Sequence, residues 1–236
     1  MRENRFFISS NLQKGKFIIL DKEIFHQVKN VLRKRVNDII ILFNEEGVEA
    51  KSQIKKILKN LIEVDILNIE KPERETQIFC SLFCSVLKRS NFELVVQKAT
   101  EIGIKEIVPM LCKNTVKTRL KMERLKKITK EAAEQSGRVI LPKIEEILTF
   151  EKSIEKVRDF ELKILFDKSG KNLSPLKDKP KKIAIFIGPE GGWDNSEIDL
   201  ARKENFTILN LGKLNLRSET AAIVASFSVI HFYSQK

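Results

Sequence analysis

Cysteine and histidine are scarce in this chain, with three cysteines and two histidines in 236 residues. Cys80, Cys84 and Cys112 are odd in number, and Cys80 and Cys84 have no second Cys/His pair to complete a zinc set. Neither a disulfide framework nor a zinc site is expected, and buried reduced thiols fit better. His26 and His231 alone cannot build a histidine-rich metal site and make a Ser/His/Asp triad a poor expectation. No metal is expected. No apolar run is long enough to span a bilayer, and the N-terminus, Met1-Arg-Glu-Asn-Arg-Phe-Phe7, lacks a signal-peptide pattern. The expectation is a cytoplasmic protein without a membrane partner. The Gly-Lys-Ser/Thr ending of a Walker loop and the Gly-x-Gly-x-x-Gly dinucleotide fingerprint are also missing, which argues against ATP and NAD as ligands. No internal repeat or low-complexity tract is visible.

Apolar residues make up 42% of the chain, and its formal net charge is +12. A globular, strongly basic chain points to a polyanionic partner, with nucleic acid the first candidate. Residues 5–69 alternate short apolar runs with Asn/Glu/Gly turns and read as a small β-rich unit. One short helix carrying His26, Val28, Val31 and Leu32 interrupts it. The charged, Pro-containing stretch 71–75 reads as a linker, so the domains are expected at 1–71 and 72–236. Beyond it strand alternates with helix, the pattern of an α/β domain. Strands are expected at 78–87, 106–111, 162–166, 182–187 and 207–211. Helices are expected at 91–102, 121–136, 144–157 and 220–233.

Two segments are the most informative. Residues 187–193, Ile-Gly-Pro-Glu-Gly-Gly-Trp, follow an apolar strand, and residues 211–221, Leu-Gly-Lys-Leu-Asn-Leu-Arg-Ser-Glu-Thr-Ala, follow another. Each runs from strand through a turn-rich loop into a helix, which places backbone amides and a helix N-terminus beside a ligand, and two such loops suggest one shared pocket. Gly191 and Gly192 let backbone approach a ligand without Cβ obstruction, although a structural turn uses the same residues. Residues 194–197 resemble a capping box. Ser218 suits the cap of the last helix, with Glu219 and Thr220 in its first turn. Arg217 resists that explanation, because a cation is unfavourable at the positive end of a helix unless something negative offsets it. The last helix is apolar on nearly every side, so burial against the sheet or a partner subunit is expected. The basic runs at 29–35 and 113–130 read either as solvated surface or as an RNA footprint.

Taken jointly, residues 187–193, 211–221, 131–138 (Glu-Ala-Ala-Glu-Gln-Ser-Gly-Arg) and 97–103 (Gln-Lys-Ala-Thr-Glu-Ile-Gly) closely resemble the bacterial RsmE family of the SPOUT superfamily, which methylates N3 of a uridine in 16S ribosomal RNA. Residues 26–38 are similar to that family's N-terminal PUA-like RNA-binding domain. The resemblance implies an α/β fold with a C-terminal trefoil-knotted methyltransferase domain preceded by a small PUA-like β-barrel domain. It also implies S-adenosylmethionine as cofactor, a homodimer, and 16S rRNA or the small ribosomal subunit as partner. Carried onto this chain, the cofactor contacts are Leu165 and Phe166, then Ile187, Gly188, Pro189, Glu190, Gly191 and Gly192. Leu211, Gly212, Leu214, Leu216, Ser218, Thr220 and Ala221 complete them.

Arg217 and Glu219 then fall beside the transferred methyl as catalytic candidates. Arg217 is expected to stabilise charge on the uracil carbonyls, and Glu219 either to accept the N3 proton or to orient Arg217. RNA contacts are expected at Lys29, Arg33, Lys34, Arg35, Lys113, Lys117, Arg119 and Arg124, with Gln135 and Arg138 at the end of the basic helix. Two departures stand out: Leu214 replaces a common arginine, and Asn37 replaces a glycine. No cysteine lies in the matching motifs, which favours attack by nitrogen or oxygen over methylation at carbon C5. The alternatives are a SPOUT ribose 2′-O-methyltransferase and a non-catalytic RNA-binding ribosome assembly factor.

Overall fold

The computed structural model describes residues 4–116, 119–173 and 180–234. Contacts group Met1–Glu75 with Ala133–Leu141 in one unit, and Thr76–Ala132 with Pro142–Lys236 in a second. The division after Glu75 falls four residues beyond the boundary expected from sequence, and residues 133–141 join the first unit.

In the first unit, β1 (Arg5–Phe7), β2 (Gly15–Ile19), β3 (Ile39–Phe43), β4 (Glu49–Ile57) and β5 (Ile62–Glu70) form one sheet in the order β1-β3-β4-β5-β2. Only β1 and β3 pair in parallel. Alternation puts one face of each strand into a core, as with Ile62, Val64 and Ile66 of β5. Between β2 and β3, α1 (Lys22–His26) is capped by the Asp21 carboxylate, which accepts from the amides of Glu23 and Ile24 at 2.8 and 3.0 Å. It continues as a π-helical turn, Gln27–Val31, and only Ile24 and Val28 of the pair are buried. Asn37 has φ 76°, a left-handed conformation that glycine adopts freely and asparagine tolerates.

The second unit contains β6 (Phe79–Ser85), α2 (Arg89–Ile102), β7 (Glu106–Leu111), α3 (Met122–Ser136) up to Ala132, β8 (Lys143–Ile144), β9 (Leu148–Thr149) and α4 (Phe150–Lys156). It continues through β10 (Leu162–Asn172), β11 (Lys182–Ile187), α5 (Asn195–Lys203), β12 (Thr207–Asn210) and α6 (Ser218–Ser234). The strands form a parallel sheet in the order β12-β10-β11-β6-β7-β8, with β9 also on β7. Residues 144–149 are therefore not the start of a helix. They hug the free edge of β7 first, and the α4 helix begins only where the Thr149 hydroxyl accepts from the Lys152 amide at 3.3 Å. Glycine ends α2 and α3 as expected, with Gly103 at φ 114° and Gly137 at φ 88°.

Side-chain alternation sends the two faces of this sheet into different cores. Leu82, Cys84, Ile164, Ile183, Ile185 and Ile187 pack with α2 and α6, whose Val95, Ala99, Ala222, Ala225 and Val229 are buried. Phe83, Leu165, Ala184 and Phe186 face α4 and α5, with Phe83 and Phe186 stacked at 4.5 Å between ring centroids. α6 also keeps an exposed stripe, Val224 and Phe227. Phe166 of β10 lies level with the carboxyl ends of its two neighbours, pairing with Ile187 of β11 on one side and Leu209 of β12 on the other. The loops that leave them share one origin.

Candidate active site

A cavity opens at those strand ends, lined by Phe166, Asp167 and Lys168 of β10, by Ile187, Gly188, Pro189, Gly192 and Trp193 after β11, and by Asn210, Leu211, Gly212, Leu214, Leu216, Ser218 and Ala221 between β12 and α6. It spans about 620 Å³ of free space, open solvent at its mouth included. Its walls are mainly apolar or glycine, with Asp167 and Lys168 the charged residues among them.

The structure thus brings together most of the residues picked from the two loops and leaves four outside. Leu165 is fully buried on the opposite face of β10, one position out of phase with Phe166. Glu190 and Gly191 form the tip of a turn closed by the Gly192 amide on the Pro189 carbonyl at 2.9 Å. Thr220 is exposed on α6.

Sequence reasoning missed Asp167, Lys168, Trp193 and Asn210. β10 runs past the expected end at Phe166 to Asn172, with a register shift between Phe166 and Lys171. That extension brings Asp167 and Lys168 to the cavity. The Trp193 indole donates to the Phe166 carbonyl at 2.9 Å, tying the glycine loop to β10. Asn210 donates to the Gly170 carbonyl at 2.7 Å and accepts from the Gly212 amide at 3.0 Å, tying the other loop to the same strand. Trp193 stood in the quoted motif and Asn210 one residue before the other, so proximity to a motif was their only signal.

The glycine loop is braced from β7. Asp194 and Glu197 form a capping box at the start of α5. The buried Glu197 carboxylate also accepts from the Lys113 amide at 3.0 Å. The Lys113 ammonium bonds Asp194 at 2.9 Å and the Ser196 hydroxyl at 2.7 Å, and the Asn114 side chain donates to the Gly192 carbonyl at 3.1 Å. Hydrogen bonds from Ser196 and Lys113 hold the Asp194 carboxyl down at about 2, and the bond to Asp194 raises Lys113. Lys113, an expected RNA contact, is engaged within the protein.

Arg217 is exposed, and its carbonyl accepts from the Ala221 amide at 2.8 Å. It therefore occupies the cap position, and Ser218, expected there, is already inside α6. Glu219 in the first turn is only 8% exposed, and its Oε2 is buried without a hydrogen-bond partner among the described residues. Glu219 and Glu190 lie close enough to Cys84 for their charges to raise its thiol further, burial being the larger cause. Burial also pushes Cys112 up to about 12 and raises Cys80, so none of the three is a thiolate at neutral pH.

Of the other expected RNA contacts, Lys29, Arg33, Arg35, Arg119, Arg124 and Gln135 are exposed, Lys34 is half-buried, and Lys117 lies outside the described residues. Arg138, also expected to meet RNA, is 6% exposed, pairs with Glu75 at 3.0 Å, and its carbonyl accepts from Arg5 at 2.7 Å. Among the described residues no cluster of three or more side chains could hold a metal ion, and no helix is long and apolar enough to cross a membrane.

The sequence profile of the RNA methyltransferase domain family matches residues 73–230, and that of the RNA methyltransferase PUA domain family matches residues 20–67. Ribosomal RNA small subunit methyltransferase E of Mesomycoplasma hyopneumoniae is 34% identical over 225 residues, covering 93% of this chain and 95% of that protein. The protein of the same name from Rickettsia conorii is 34% identical over 233 residues, covering 95% and 94%. The crystal structure of ribosomal RNA small subunit methyltransferase E from Neisseria gonorrhoeae bound to S-adenosyl methionine superposes with a TM-score of 0.91 at 26% identity, covering 98% of both chains. With profiles spanning both parts of the chain and relatives matched nearly end to end, this chain belongs to the ribosomal RNA small subunit methyltransferase E family.

Proposed function

We propose that the chain methylates N3 of a specific uridine in the 16S ribosomal RNA of the small subunit, with S-adenosylmethionine as donor. The observation that carries this reading is the cavity beside Phe166 of β10, level with the ends of β11 and β12, with Arg217 standing between two of its lining residues, Leu216 and Ser218. The walls fit the donor: Ile187, Leu211, Leu216 and Ala221 offer apolar surface to a purine and an aliphatic chain, and Gly188, Gly192 and Gly212 leave backbone accessible. The donor supplies an electrophilic methyl on a sulfonium. The residues of this chain hold the reactants in line and manage charge.

Uracil N3 carries a proton at neutral pH, and its loss spreads negative charge over the flanking carbonyl oxygens. The Arg217 guanidinium is exposed at the positive end of α6, where a cation needs a negative partner, so it suits that charge. The buried, unpartnered Oε2 of Glu219 suits the departing N3 proton. The exposed Lys29, Arg33, Arg35, Arg119 and Arg124 supply phosphate contacts for the RNA, residues 1–71 forming the RNA-binding domain and 72–236 the catalytic one.

The reading includes a homodimer, which covers the exposed Val224 and Phe227 of α6. It also includes a trefoil knot. β12 lies at the sheet edge beyond β10, whereas α6 packs on α2, β6 and β11. The chain between them has to return past the loops at the ends of β10 and β11. A ribosomal substrate goes with a cytoplasmic location.

Nucleoside mass spectrometry of 16S rRNA from a strain lacking the gene tests the reaction. Loss of 3-methyluridine, restored by the wild-type gene, is expected. Loss of a 2′-O-methylated nucleoside instead makes the chain a ribose methyltransferase. Unchanged modification, with no binding of S-adenosylmethionine to the purified protein, makes it an assembly factor.

A further inference from the structure

The polar groups that line the cavity are mostly committed to the protein itself. The Trp193 indole is spent on the Phe166 carbonyl, and the Asn210 amide uses its nitrogen on Gly170 and its oxygen on Gly212. What remains among the lining side chains is the Ser218 hydroxyl, the Lys168 ammonium and one half of the Asp167 carboxylate. Asp167 Oδ1 accepts from both the amide and the hydroxyl of Ser169, at 2.8 and 2.6 Å, and its Oδ2 has no hydrogen-bond partner among the described residues. One oxygen is pinned by a turn. The other is a free acceptor on a half-buried residue of the cavity wall.

Resting on the cofactor reading above, we infer that Asp167 recognises the vicinal hydroxyls of the donor's ribose and so makes this site selective for an intact ribonucleoside. A carboxylate oxygen with free lone pairs is matched to a neighbouring pair of hydroxyl donors. The alternative donor on the same molecule is the α-ammonium of its amino-acid end, which methylthioadenosine lacks. A neutral diol binds by hydrogen-bond geometry. Ser169 acts as a positioning residue by fixing the plane of the carboxylate.

Calorimetry on the full-length protein tests this with three ligands: S-adenosylhomocysteine, 5′-methylthioadenosine and the 2′,3′-dideoxy form of the latter. Methylthioadenosine keeps the ribose and lacks the amino-acid end. Asp167→Asn keeps an oxygen for Ser169 and removes the second acceptor, so the turn is retained. The wild type is expected to prefer methylthioadenosine to its dideoxy form by about 10- to 100-fold, the range for hydrogen bonds to a charged group. Asp167→Asn is expected to bind the two alike, and to lose affinity for S-adenosylhomocysteine by the same factor. Ser169→Ala retains the carboxylate and the amide bond but loses one of the two donors that fix its plane, and is expected to weaken the preference without abolishing it.

An undiminished preference for the diol in Asp167→Asn overturns the inference. So does a variant that loses affinity for S-adenosylhomocysteine and not for methylthioadenosine, which assigns Asp167 to the amino-acid end. If the folded wild type binds none of the three ligands, the cofactor reading of the cavity fails with it.

Discussion

The indole nitrogen of Trp193 donates to the carbonyl of Phe166 at 2.9 Å, and the same ring lies so close to Gly188 that a Cβ there would stand 2.9 Å from it. One side chain thus fastens the glycine loop to the neighbouring strand and requires the first residue of that loop to be glycine. Trp193→Phe keeps the ring and strands the carbonyl of a buried residue, at a cost of about 1–3 kcal/mol. Affinity for S-adenosylmethionine is expected to fall about tenfold by that magnitude, with the far-ultraviolet circular dichroism unchanged. Calorimetry beside a thermal melt separates the two effects.

Gly191 meets a different obstacle. A Cβ at this position would lie 3.1 Å from the Cβ of Asn114, whose side chain holds the Gly192 carbonyl. Gly191→Val is therefore expected to push the turn off the β7 brace and weaken cofactor binding through the loop's position. Gly191→Ala, with one carbon in tight contact, is expected to lose less. Equal, wild-type affinities for both variants would show the brace to be irrelevant to the cavity.

Arg217 is exposed and stands at the cap of α6, so its removal breaks no packing. Arg217→Ala is expected to leave thermal stability and cofactor affinity near wild type and to lower the single-turnover methylation rate by about 10²–10³. Lysine is expected to rescue poorly, lacking the planar fork. A near-normal rate with tritiated donor and small-subunit RNA assigns the charge to another group.

The Lys113–Asp194 brace has a pH signature. Asp194 is held down at about 2 by its bonds from Ser196 and Lys113, below the unfolded carboxyl, so its contribution is complete above about pH 4 and disappears as pH falls through about 2. Lys113 is raised by its bond to Asp194, so its share is present below the ordinary lysine range and is lost as pH climbs through the raised value. The stability difference between wild type and Lys113→Met is therefore expected to be flat through neutral pH and to shrink towards both extremes. Both groups face solvent, so the plateau is expected to be small and to decrease with salt. Urea melts across pH measure it.

Arg33, Lys34 and Arg35 form part of the proposed RNA footprint, and none forms a side-chain ion pair among the described residues. Reversing all three to glutamate is expected to weaken RNA binding and to reduce the slope of log affinity against log salt by about 2–3, at 0.7–0.9 per lost phosphate contact. Cofactor affinity is expected to stay the same. Filter binding at several salt concentrations decides whether the patch meets phosphate.

What the sequence made legible follows from local rules. Short continuous apolar runs located β7 and β11 to the residue, and glycine after an amphipathic run located the ends of α2 and α3. The two loops were visible because turns need glycine and helix starts need acids and hydroxyls. What escaped depended on partners distant in the chain. Arg138 looked like one more basic residue until Glu75, 63 positions earlier, was seen beside it. Lys113 looked free until Asp194, 81 positions later, came within 2.9 Å. Residues 144–149 carry apolar spacing compatible with a helix, and the open edge of β7 decided for strand. Asp167 was hidden by the length of β10, since nothing at Phe166 signals that the strand continues.

The pairing of Phe166 with Ile187 and Leu209 sets a tolerance on assembly. A slip of β10 by one residue exchanges its two faces: Leu165 turns to the cavity, Phe166 enters the aromatic core, and the carbonyl that Trp193 grips moves out of reach. The misregistered sheet has no cavity to offer. A ligand that binds only the correctly paired form stabilises it by mass action, so the small molecule that reacts in the finished protein also proofreads its construction.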